Sequence, residues 1–195
     1  MGAKYTIESK RDFIAYSDLL HTANVLFEKA REVRVGKTHI IRAAIVFRAF
    51  AFESFLLHIG SRFFPEETSY QMNSVKDKLI FLNNKYSIGI DFSSRPFQTI
   101  TVLFDKRNLL AHSKDDPLLA TYTTKYGSTA EKYYQRKLKT DLENYCILNN
   151  MEKAKEDAQK CIGIIAGKVG IGKDELFRKG FGSGSIRAKI KDDPL

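Results

Sequence analysis

Two cysteines, four histidines and four prolines among 195 residues leave several chemistries short of material. Cys146 and Cys161 stand apart, with no C-x-x-C pair and no histidine beside them. Fifteen helical residues would separate them by about 22 Å, too far for a disulfide within one helix. They read as small apolar core or surface residues in a reducing cytoplasm. His21, His39, His58 and His112 do not recur at ligand spacing, so neither a metal nor another cofactor is expected. No stretch of about 18 apolar residues is present to span a bilayer. The opening MGAKYTIESKRDF has no apolar run behind its basic residues and does not resemble a secretory signal. Met1-Gly2 followed by Thr6 meets a myristoylation pattern at too few positions to establish it. A cytoplasmic chain without a membrane partner is expected.

What is present suits a folded protein. Hydrophobic residues make up 43% and charged residues 28%, in the range of one globular domain with or without an extension. The formal net charge is +9, a surplus that favours polyanions such as nucleic acid. Part of it belongs to the C-terminal stretch, where Lys168, Lys173, Arg178, Lys179, Arg187, Lys189 and Lys191 outnumber Asp174, Glu175, Asp192 and Asp193.

Helical periodicity dominates the body. From about Ser9, apolar residues at Phe13, Ile14, Leu20, Leu26 and Phe27 predict a first helix that stops near Val35-Gly36. Thr38 is the expected cap of a second helix. Its apolar residues, from Ile40 to Leu56, cover most of its girth, which marks a central helix stopping by Phe64-Pro65. Asn73 or Ser74 caps a third, VKDKLIFLNNKY, closed at Ser87-Ile88-Gly89. Pro96 begins a fourth, carrying Phe97, Ile100, Phe104 and Leu110, and Pro117 ends helical conformation at Asp116. Residues 118–128 read as a short strand pair or a structured loop. Residues 130–168 are helical again, with a break near Asn149-Asn150. Beyond them lie a short helical turn at 173–178 and a glycine-rich tail. The expected architecture is all-α: a helical domain over 1–168 and a flexible basic extension over 169–195.

Two stretches invite a functional reading. GKVGIGKD, at 167–174, matches the front of a phosphate-binding loop, G-x-x-x-x-G-K. The next position should carry a hydroxyl for magnesium but holds Asp174, and the preceding chain is helical where a P-loop follows a strand. A glycine-rich helix end is the better reading. DKRNLLAHS, at 105–113, places Arg107, Asn108 and His112 together at a helix end, with Glu53 on the apolar helix before it. Histidine titrates near neutrality and serves as acid or base. Arginine stays charged and offers phosphate a planar fork of donors, and asparagine can orient either group.

The R-N-x-x-A-H arrangement within an all-α chain is similar to the HEPN family of small helical domains. The resemblance covers roughly residues 10–165. It implies an antiparallel helical bundle in which an R-x4-6-H motif marks the active site of ribonucleases, toxins and phage-defence proteins. Arg107, Asn108 and His112 match that motif as they stand. It further implies a metal-independent endoribonuclease acting on single-stranded or loop RNA, and a homodimer with a composite site. An inhibitor or antitoxin protein would go with the toxin members. HEPN toxins with a nucleotidyltransferase antitoxin usually continue His-x-Tyr, whereas here Lys114 follows Ser113, which puts that subclass in doubt.

Helix geometry separates the triad. Asn108 and His112 are four positions apart and share a face, while Arg107 and His112 diverge by about 140°. That divergence is a second reason to expect two chains at one cleft. Glu53 either ion-pairs with Arg107 or sits on a solvated edge, and Arg48 is open in the same way. Lys106, Lys114 and Lys125 are candidates for RNA backbone contact, with plain solvated lysines as the alternative. The competing functions are a non-catalytic HEPN-type module binding RNA, a nucleotide or a protein, and a helical scaffold whose motif is coincidental.

Overall fold

The fold is built around its second helix. A computed structural model describes residues 5–11, 13–112, 138–177 and 182–188. Helix α1 spans Ala15–Glu32 and α2 spans Lys37–Phe63. α2 buries Ile41, Ala44, Ile45, Ala49, Phe52, Phe55, Leu56 and Ile59, which lie on more than one side of it. Each such large side chain contributes on the order of 1.5–3 kcal/mol relative to exposure. α1 lies along α2 and contributes Leu20, Ala23, Phe27 and Ala30 to the shared core. Gly36, at φ 75° between the two helices, takes the left-handed conformation that the tight reversal requires, so α2 begins without a side-chain cap.

A five-residue helix, α3 (Thr68–Met72), brings Tyr70 against the end of α2, where its hydroxyl donates to the Leu56 carbonyl at 3.0 Å. The ring lies so close to Gly60 that a Cβ there would come within 2.5 Å of it. Helix α4 (Val75–Tyr86) begins where Ser74 accepts from the Asp77 amide and ends at Ser87, at φ 50°. Asn83 Oδ1 then accepts from the amides of Gly89 and Ile90, fastening the loop that leads to helix α5 (Phe97–His112). Helix α6 (Asp141–Tyr145) opens with a capping box between Thr140 and Glu143. Helix α7 (Leu148–Val169) packs on α2 and α5. Its buried Asp157 accepts from Arg95 Nε at 2.6 Å and Nη2 at 3.0 Å, and from the Thr99 hydroxyl at 2.5 Å. That cluster ties the start of α5 to α7.

The body is helical, as its periodicity indicates, but both ends differ from expectation. Tyr5–Arg11 is strand β1, paired antiparallel with strand β2 (Gly182–Ala188) in the register Tyr5↔Ala188 to Arg11↔Gly182. The first helix therefore starts at Ala15 and not at Ser9. The extension read as a flexible tail is built into the fold in two places. Ile171 and Leu176 are buried, the Leu176 carbonyl accepts from the Tyr16 hydroxyl at 2.7 Å, and 182–188 form β2. Residues 173–177 form turns and no helix. The expected break near Asn149-Asn150 falls earlier, at Cys146-Ile147 between α6 and α7. Residues 118–128 and 130–137 lie outside the described residues.

Candidate functional site

α5 carries the motif, and its contacts decide which of the three residues meet. Phe97, Ile100, Leu103 and Phe104 are buried and fix its rotation about its axis. With that face inward, Arg107 turns towards α2, where Nη2 donates to Glu53 Oε2 at 3.1 Å. The two side chains are 22% and 33% exposed, so this is a partly desolvated pair and not a solvated edge. The Arg107 guanidinium also lies 5.2 Å from the Phe104 ring centre and 5.7 Å from that of Phe50. Its Nε is buried with no hydrogen-bond partner among the described residues.

The pair sits at the rim of a cleft of about 310 Å³ between α4 and α5. Leu79, Ile100 and Phe104 are buried apolar residues of its wall, and Phe92 joins them from the loop before α5. Ser74, Lys76, Thr101, Asp105 and Asn108 give the polar side. Lys76 Nζ stands 5.8 Å from the Phe92 ring centre. On the same helix, Lys78 is 3% exposed and donates to the Asn73 carbonyl. Burial pushes the Lys78 ammonium below its ordinary pKa, against the opposing pull of Glu53 and Asp77.

His112 is placed differently. It is exposed in the last turn of α5 and does not line the cleft, whereas Arg107 and Asn108 both do. Arg107 and Asn108, and not His112, therefore meet at the cleft, although Asn108 and His112 are still four positions apart on one helix. The reason is length: α4 and the Phe92 loop wall α5 only as far as Asn108, and His112 lies one turn beyond. Leu109 and Ala111 are exposed, and of the three apolar residues before His112 only Leu110 packs on the core.

Lys106 stands 5.8 Å from the Tyr145 ring centre and is not part of the cleft wall. Lys114 and Lys125 lie outside the described residues. Arg48, left open by the sequence, is fully buried, and among the described residues its Nη2 donates to Asn24 Oδ1 at 2.9 Å. Both cysteines are buried free thiols, and burial pushes each upward in pKa. Among the described residues no group of three or more His, Cys, Asp or Glu could hold a metal ion, and no helix is long and apolar enough to cross a membrane.

The α4 wall and Phe92 escaped the sequence reading because they belong to no motif. The available signal was Phe92 itself, a large aromatic in the polar loop DFSSRP. No protein-family model matches this chain, and neither a curated protein nor a solved structure matches it.

Proposed function

We infer that the protein is an endoribonuclease of the HEPN type, with Arg107, Asn108 and His112 as its working residues. The observation that carries the reading is the placement of Arg107. Its guanidinium is held by Glu53 on the cleft rim beside Asn108, with His112 solvent-facing one turn along the same helix. Phosphodiester cleavage by the ribose 2′-hydroxyl needs a group to take its proton, a group to protonate the leaving 5′-oxygen, and positive charge for the phosphorane. His112 serves as acid or base, Arg107 as the cation, and Asn108 as a donor that orients phosphate. The products would be a 2′,3′-cyclic phosphate and a 5′-hydroxyl. This reading carries an antiparallel HEPN-like bundle as the finer architecture, a homodimer as the working unit, and single-stranded or loop RNA as substrate. Stress or phage defence is the setting that goes with it.

Digestion of RNA in EDTA is the test. Wild type is expected to cleave, and Arg107→Ala and His112→Ala each to lose about 100-fold or more. Cleavage that survives both substitutions overturns the assignment. A second reading, a non-catalytic module binding RNA, draws on two observations: His112 is off the cleft, and the charges of the wall balance, Lys76 and Arg107 against Glu53 and Asp105. RNA binding without cleavage by wild type would favour it.

A further inference from the structure

We propose that the cleft between α4 and α5 is a nucleobase pocket that takes one unpaired guanine of an RNA strand. The inference rests on the ribonuclease reading for the strand's identity, but the cleft argues for the base independently. Its volume of about 310 Å³ is at the small end of ligand sites, enough for a ring system without a polyphosphate chain. Two cations and two carboxylates cancel around it, so it attracts a neutral heterocycle better than a multiply charged group. Phe92 and Phe104 supply aromatic surface, and Leu79 and Ile100 close the wall with buried aliphatic groups. Single-stranded RNA is commonly read in this way, with an unstacked base against aromatic rings and its Watson–Crick edge hydrogen-bonded to side chains.

The polar side selects among bases. Asp105 is an acceptor-only carboxylate. Guanine alone offers it two adjacent donors, N1–H and the N2 amino group. Adenine and cytosine present a ring-nitrogen acceptor at the corresponding place, and uracil flanks its single N–H with two carbonyls. Lys76 or Asn108 can donate to the guanine O6. A base seated here would leave the adjoining sugar–phosphate near Arg107 and Asn108, which line the same cleft. The pocket would then determine which phosphodiester is presented to the catalytic residues.

Calorimetric titration with GMP, IMP, AMP, CMP and UMP tests the pocket separately from cleavage. GMP should bind tightest, by about tenfold over AMP and UMP, and IMP, which lacks the N2 amino group, should fall between GMP and AMP. Asp105→Asn, on an exposed side chain that the fold does not need, should weaken GMP about tenfold and leave AMP unchanged. Thr101→Phe, checked for retained helicity, should fill the space and abolish binding of all five. Equal binding of the five, no binding at millimolar nucleotide, or GMP binding indifferent to both substitutions overturns the pocket. Arg107-dependent cleavage without guanine selectivity would refute the pocket and leave the nuclease standing. Guanine-selective binding without cleavage would do the reverse.

Discussion

The Arg107 guanidinium is constrained from three sides, by Glu53 at 3.1 Å and by the rings of Phe50 and Phe104. Those contacts fix its plane before any phosphate arrives, so little side-chain entropy is left to lose on binding. On the ribonuclease reading Glu53 would be a positioning residue, touching no reacting atom but setting where the cation points. Glu53→Gln keeps an acceptor of the same shape and removes the charge. It is expected to lower kcat about tenfold with little change in KM, because the loosened fork is needed most when charge develops on the phosphorane. Arg107→Lys should not rescue the site, since a single ammonium cannot serve Glu53 and phosphate together. Steady-state cleavage of a short RNA checks both, and a Glu53→Gln enzyme as fast as wild type would remove Glu53 from the mechanism.

Along α2, the conspicuous element-scale feature is a cation inside the core. Arg48 is fully buried, bonded through Nη2 to Asn24, and its Nε and Nη1 have no partner among the described residues. Desolvation lowers its pKa to about 10, and at neutral pH that depression costs the fold about 3 kcal/mol. A cation whose pKa falls on folding destabilises at all pH values below its folded pKa, and the cost is relieved as pH rises through it. Arg48→Met is therefore expected to raise unfolding stability at pH 7 by about 1–3 kcal/mol, with the advantage shrinking above pH 10. Urea titrations at the two pH values check this, and a less stable Met variant at pH 7 would show that Arg48 is better satisfied than its one bond implies. At the other end of α2, Gly60→Ala should cost about 1–3 kcal/mol by thermal melting, because the added methyl meets the Tyr70 ring at 2.5 Å. Elements of this kind differ in how openly the sequence declares them. VKDKLIFLNNKY matches α4 residue for residue, since its cap and its stop are both local. β1 is hidden because its partner lies more than 170 residues away, and α3 because five residues are too few to show a period.

At the scale of the whole molecule, the motif was legible as residue types and the site was not. Arg107, Asn108 and His112 are local in sequence, but the cleft also needs Glu53 from α2, Lys76 from α4 and Phe92 from a loop, which only tertiary packing brings together. The same packing leaves His112 outside the cleft that holds Arg107. One chain thus presents a fixed cation at the cleft and an imidazole a turn beyond it, and on the ribonuclease reading a twofold partner would bring a second imidazole to that cation. The arrangement can be tested by mixing two inactive variants, Arg107→Ala and His112→Ala, after unfolding and joint refolding to exchange subunits. A mixed dimer contains one intact Arg107 and one intact His112, on opposite chains. If each site draws its arginine and histidine from different chains, one of the two sites in every mixed dimer is restored. Random exchange makes half the dimers mixed, so roughly a quarter of wild-type activity should return. If both residues act from the same chain, no site in the mixture is whole. A mixture that stays inactive, while differently tagged subunits co-purify, would place the chemistry within one chain and leave the dimer without a catalytic role.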